Sequence, residues 1–270
     1  TDDAGGHTGK VGDRAVDFYA GGNKSGQVID VKSGFLGIAG VNDQITISLW
    51  QNLTEIANQS QFWGQSTDPA TGGRGINIHL PWGDDTIYYD TDGCCGGTQR
   101  IAKNINTFPG WTDDSFWSQW RHYAILKDGP HKQVWIDGVL FFEGNNTGRL
   151  PVAYSDLFIG GSDADGGNSM HGMLDDFAVF AAALTPDEIS QLAKGTAPNK
   201  LPARNVATKP KITSIKVNAN GSLTIEWTGG GTLQSAPAVT GPWGDVTGAT
   251  SPFTFTPTAT QTTLFGRIKQ

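Results

Sequence analysis

The sequence predicts an all-β protein built of one large and one small domain, and three observations carry that expectation. Glycine and proline number 37 and 13 in 270 residues, and aromatic residues make up 10%. A chain punctuated that densely folds through many short strands and turns. Apolar and polar residues alternate over runs of five or six, as a half-buried strand requires. No apolar run reaches the about 18 residues that would cross a membrane as a helix, so no membrane insertion is expected. The formal net charge of -7 argues against nucleic acid or an anionic membrane surface as a partner, because both recruit basic patches.

Taken in order, the stretch His7 to Phe18 places a glycine turn before an alternating run, Ala15 to Tyr19, that reads as a first strand. Ile45, Ile47 and Leu49 then share one face and Thr46, Ser48 and Trp50 the other, a period of two that needs a sheet. From Arg74, the segment RGINIHLPWGDDTIYYDTDGCCGG reads as two strands around a turn at Gly83 to Asp85. Trp120 to Gly144 reads as hairpin strands, with Asp128-Gly129 and Asp137-Gly138 at tight turns. A short helix follows: Thr185 caps it, Pro186 fits its first position, Glu188 closes a capping box and Gly195 lies past its end. Residues 197–211, rich in proline and charge and without periodicity, read as a linker. Beyond it, Ile212 to Val217 and Ser222 to Thr228 form a hairpin across Asn218 to Gly221, and Phe253, Phe255, Leu264 and Phe265 supply later strands. A core of about 60 residues is marginal.

The run formed by ITISLW, the Trp120–Gly144 hairpin and the closing stretch Leu157 to Ala193 resembles the laminin G-like branch of the concanavalin A-like jelly rolls, over residues 1–196. Residues 212–270 resemble short β-sandwich modules, loosely fibronectin type III-like, found near the C-termini of bacterial secreted proteins. The resemblance implies a jelly-roll sandwich and a secreted protein that holds sugars or adheres. A chain starting at Thr1 fits a mature secreted product or a trimmed piece equally well. In the resembled domains a structural calcium is often held near the first strand and the last-strand aspartate. Asp17 in AVDF and Asp175 in GMLDDF match those places, and calcium takes several oxygen ligands. Trp50, Trp120 and Trp135 match core positions of the resembled domains.

Sugar sites need aromatic faces for the apolar side of a pyranose and polar neighbours for its hydroxyls. His79, Trp82, Asp84, Asp85, Tyr88, Tyr89 and Asp90 cluster around one turn and are the candidate ligand-binding residues. Tyr88 and Tyr89 necessarily face opposite ways in a strand. Cys94 and Cys95 are adjacent and flanked by glycines, without the spacing of a zinc site. They read either as a disulfide forming a rigid knob or wall beside a ligand groove, or as two thiols or a ring that stiffens a turn; an oxidising compartment is favoured.

Glycoside hydrolysis uses two carboxyl groups about 5 to 9.5 Å apart. Jelly-roll glucanases usually set them as E-x-D-x-x-E on one strand, and that triplet is absent from a chain with four glutamates, Glu55, Glu143, Glu188 and Glu226. Lyases on related jelly rolls use a Gln-x-His strand and a tyrosine strand. Here Asn77 stands in the glutamine place beside His79, Tyr88 or Tyr89 is the candidate base, and Arg74 and Arg100 are the nearest cations in sequence. The expectation is a non-catalytic polysaccharide-binding protein, with a lyase or hydrolase, or a protein-binding adhesion module, as the alternatives.

Overall fold

A computed structural model describes residues 1–22, 27–32, 34–202, 210–258 and 263–269, and the chain divides into two compact units, Thr1–Pro202 and Ala203–Gln270. The first unit contains strands β1 (Val16–Asp17) and β2 (Ile29–Lys32), helix α1 (Gly37–Asn42), and strands β3 (Gln44–Leu53), β4 (Phe62–Ser66), β5 (Arg74–His79), β6 (Thr86–Thr91) and β7 (Arg100–Asn104). It continues with β8 (Arg121–Asp128), β9 (His131–Ile136), β10 (Val139–Asn145), β11 (Tyr154–Ile159), β12 (Gly172–Phe180) and helix α2 (Pro186–Ala193). These strands form two six-stranded antiparallel sheets, ordered β1-β12-β3-β8-β9-β10 and β2-β11-β4-β5-β6-β7.

The core lies between the sheets. Ile45, Ile47 and Leu49 of β3 point into it with exposures of 1, 0 and 0%, meeting Phe62, Ile76, Ile78 and Tyr89 from the other sheet. Each such side chain contributes roughly 1.5–3 kcal/mol by leaving water. The outer face of the first sheet is covered in turn. Ala124, Leu126 and Trp135 pack against Ile189 and Leu192 of α2, which is why β8 and β9 are apolar on both faces. The helix starts as expected: the Thr185 hydroxyl accepts from the Glu188 amide and the Glu188 carboxylate accepts from the Thr185 amide at 2.7 Å.

Two details differ from the expected pattern. The first strand is ordered over Val16–Asp17 alone, opposite Leu174 and Met173, because Ala20–Gly22 turns the chain away with Gly21 and Gly22 at positive φ. In β12 the ladder slips between Asp175 and Ala178, and Asp176 takes φ 45°. A bulge of this kind re-aims side chains that strict alternation would send elsewhere. The tight turns at Gly129 and Gly138 take φ 57° and 78°, as glycine allows. The expected linker falls largely on 203–209, outside the described residues; ahead of it Leu201 packs against the α2 cluster.

The second unit holds β13 (Lys211–Val217), β14 (Leu223–Thr228), β15 (Thr232–Ala236), β16 (Gly244–Asp245), β17 (Phe253–Phe255) and β18 (Phe265–Lys269). They make two three-stranded sheets, β13-β14-β17 and β16-β15-β18. Ile215, Leu233, Phe253 and Phe255 are among the residues lining an apolar cavity of about 340 Å³ bounded by both sheets.

Candidate functional site

Cross-strand partners share a face of a sheet, so the register of β4 to β7 determines what meets on the outer side of the second sheet. Ile76, Ile78 and Tyr89 point into the core, which leaves Asn77, His79, Tyr88 and Asp90 on the opposite face. Along one row Trp63, Asn77, Asp90 and Arg100 are successive partners; along the next, His79 faces Tyr88. The β5–β6 turn, the loop before β7 and Asn168 rise beside these rows. The result is a cleft of about 290 Å³ lined by Arg74, His79, Trp82, Asp84, Tyr88, Cys94, Cys95, Arg100 and Asn168.

The floor is polar and buried. Asp90 is 0% exposed and takes Nε and Nη2 of Arg100 at 2.6 Å each and Nη1 of Arg74 at 2.8 Å. Arg100 lies over the Tyr88 ring and Arg74 over the Trp63 ring, each 4.4 Å from the centroid. Hydrogen bonding to Asp90 holds the Arg100 guanidinium above its ordinary value, while burial pulls Arg74 down.

His79 sets the next layer. Its Nδ1 lies 2.7 Å from the Gln59 carbonyl and must carry the proton, so Nε2 accepts from the Asn77 amide at 3.0 Å. Burial pushes the imidazole down to about 4, and it is neutral at physiological pH. Trp82 packs edge-on to this ring at 4.5 Å and is held by its amide donating to the Thr86 carbonyl at 2.9 Å. At the rim the Tyr88 hydroxyl donates to Asp84 at 2.8 Å. That bond raises Tyr88. Burial works to raise Asp84, but the bonds it accepts from Tyr88 and Thr86 outweigh it and hold the carboxyl below its usual range.

Cys94 and Cys95 are paired with each other, their Cα atoms 3.6 Å apart, and form an exposed wall of the cleft. Their loop is anchored from beneath by Lys132, whose buried Nζ donates to the carbonyls of Gln99 at 2.8 Å and Tyr89 at 3.1 Å.

Residues 23–190 match the family described as the concanavalin A-like lectin/glucanases superfamily. The chain belongs to that superfamily. No curated protein matches the sequence. Among solved structures it is similar to a leech intramolecular trans-sialidase, at 16% identity and a TM-score of 0.51, covering 79% of this chain and 32% of that one. It is similar also to domain 4 of the extracellular arabinanase AbnA from Geobacillus stearothermophilus, at 21% identity and TM-score 0.41, covering 70% and 85%. A third is a pentraxin from Limulus polyphemus, at 17% identity and TM-score 0.43, covering 56% and 70%. The chain spans only about a third of the leech enzyme, and that likeness speaks to the fold alone.

In this superfamily member four of the seven candidate binding residues, His79, Trp82, Asp84 and Tyr88, line one cleft, and Asp90 lies beneath its floor. Tyr89 does not reach it. Its ring is buried between the sheets with Lys132 4.2 Å from the centroid, because adjacent strand residues point oppositely. Asp85 also stays out of the cleft, taking φ 61° at the turn, and burial raises its carboxyl. Arg74 and Arg100, considered earlier only as neighbours in sequence, and Asn168, 68 positions beyond Arg100, complete the lining. For the arginines a signal existed: Asp90 falls in a strand where an unpaired buried carboxylate is untenable. For Asn168 there was none.

A second cluster lies at β12. His7, Asp13 and Asp175 each offer one donor atom within 4.8 Å of the others and could hold a metal ion. The bulge presents Asp175 Oδ2 to the His7 amide and Nδ1, at 2.8 and 2.9 Å, and the His7 ring stacks on Trp50 at 4.3 Å. Asp17, expected beside Asp175, stands outside this cluster; its carboxylate accepts from the Tyr19 amide at 2.9 Å. Two carboxylates suit calcium, but an imidazole nitrogen suits a borderline ion such as zinc, so the donor set departs from an all-oxygen calcium site. No helix among the described residues is long and apolar enough to cross a membrane.

Proposed function

We propose that this protein is an extracellular carbohydrate-binding module that takes a polysaccharide segment into the Trp82 cleft without cleaving it. The observation that supports this reading most is the pairing of a partly buried indole at the cleft wall with a polar floor built from Asn77, His79 and Asp90. An indole face suits the CH groups of a pyranose, and Asp84 and Asn168 at the walls suit its hydroxyls. Tyr88, with Arg100 against its ring, serves to orient that guanidinium.

A proton-abstracting enzyme is the second reading, because His79, Tyr88 and Arg100 converge on the same cleft. Acid–base catalysis works best with groups poised near the operating pH. His79 sits at about 4, Asp84 below its normal range and Tyr88 above its own, which favours binding over turnover.

The test is retention of the purified chain on a polysaccharide panel, with reducing-end and unsaturated-product assays on the same samples. Retention without product is expected. Trp82→Ala should lower affinity at least about tenfold, in line with loss of an interface aromatic, while the melting temperature stays nearly constant. Product release would transfer the protein to the enzyme reading, and a collapse of stability in Trp82→Ala would place the indole in a packing role.

Any ion at His7, Asp13 and Asp175 would act structurally, tying the N-terminal segment to β12. Chelation should then lower the melting temperature and zinc restore it. Restoration by calcium alone would instead favour the calcium expected from the sequence.

A further inference from the structure

We infer that the cleft is selective for an acidic saccharide, a uronate whose carboxylate is taken by Arg74 and Arg100. This rests on the saccharide reading above and names its ligand class.

The argument is a count of charges and donors. Two guanidiniums share the single carboxylate of Asp90, which is 0% exposed, so one positive charge is left over in the cleft floor. The two side chains keep 18 and 20% of their surface open, on the cleft side. Arg100 spends Nε and Nη2 on Asp90, and Nη2 also reaches Cys94 Sγ at 3.8 Å; Arg74 spends Nη1. Both hydrogens on Arg100 Nη1 and both on Arg74 Nη2 have no protein acceptor among the described residues. A guanidinium presents five N–H groups in a fixed fork that matches a carboxylate.

The forks are already oriented. Each guanidinium packs on one ring, Arg100 on Tyr88 and Arg74 on Trp63, at 4.4 Å from the centroid, and the Asp90 bonds hold both. A ligand carboxylate therefore meets donors that need no reordering. A neutral sugar laid over the same floor would strip water from the surplus cation and return no charge, which is unfavourable. The one acidic group among the lining residues, Asp84, lies at the rim, ionised, with Tyr88 and Thr86 donating to it, and its charge bears on Arg100 from there. The cleft thus carries its surplus cation in the floor, at Arg74 and Arg100, and a carboxylate at its rim, in a chain whose net charge is -7.

The experiment is titration calorimetry of the full chain with matched trisaccharides. Each uronate, oligogalacturonate, oligomannuronate and oligoglucuronate, is paired with its carboxyl-reduced form, in which CH₂OH replaces the carboxylate and the ring and linkage stay the same. A sulfated neutral trisaccharide is the third arm. At least one uronate is expected to bind about tenfold or more tightly than its reduced partner, the size of one charge-assisted contact. Added salt should narrow that gap. Arg74→Gln should bring the pair to within about threefold of each other. Because the pair is compared first on the unaltered chain, the result does not depend on that variant folding. Equal affinity for both members would overturn the inference and leave the saccharide reading standing. Tighter binding of the sulfated sugar than of every uronate would overturn the carboxylate assignment. No binding of any sugar, charged or neutral, would remove both.

Discussion

Asp90 is the residue on which the cleft turns. It accepts three charge-assisted hydrogen bonds while wholly out of water, and its two partners are the groups that would meet a ligand. Removing one member of a buried ion network leaves the others uncompensated, at about 3–5 kcal/mol. Asp90→Ala should lower the urea unfolding free energy by that amount. An unchanged midpoint would mean that both guanidiniums swing out to solvent. At this scale the sequence was informative about position and less so about role. Trp82, Asp84 and Tyr88 could be picked because three polar or aromatic side chains crowd one turn. The function of Tyr88 as a platform for Arg100 could not, since the partner lies 12 residues on in the next strand and only register brings them together.

Elements are where local chemistry and packing can be separated most cleanly. Helix α2 carries a complete capping box, and its Ile189 and Leu192 seal the outer face of β8 and β9. Thr185→Ala should cost about 1 kcal/mol through the lost cap. The measurement is the shift in melting temperature, with Thr185→Ser, which keeps the hydroxyl, as the control; a loss in the serine variant as large as in the alanine one would refute the capping account. The β12 bulge belongs to the same scale. Two adjacent aspartates in an ordinary strand point to opposite faces, whereas the slip at Asp175 delivers its carboxylate to His7, 168 residues away. Nothing in GMLDDF announces that slip, because a bulge arises from how two strands are held by the rest of the sheet. The first strand shows the converse: its alternation was legible, and its length was decided by a glycine turn and by the partner strand.

At the scale of the whole molecule, the titration of buried groups predicts an unusual stability profile. His79 and His122 are pushed by burial from 6.5 to about 4 and about 3, so below pH 6.5 the unfolded chain binds protons that the folded chain refuses. Stability should therefore rise with pH from about 4 to 6.5, by up to about 1.4 kcal/mol per unit for each histidine. Burial also lowers Lys132 from 10.5 to about 7, and the same sign carries the rise onward above pH 7. Tyr89, Tyr123 and Tyr154 are raised by burial, so above pH 10 the unfolded chain releases protons first and stability falls. Melting temperatures across pH should peak near about pH 9–10, and Lys132→Met should flatten the alkaline rise. A maximum at or below neutrality in the unaltered chain would show that Lys132 stays charged where it is. By itself the sequence determined the all-β class, most of the strands and turns, the capped helix and the turn that carries Trp82, because periodicity, glycine and capping act over a few residues. Only the tertiary structure decided that Tyr88 and not Tyr89 faces the cleft, that Arg74 and Arg100 converge on Asp90, and that His7 and Asp13 join Asp175. Those outcomes depend on cross-strand register and a bulge, which are set by packing between segments distant in the chain.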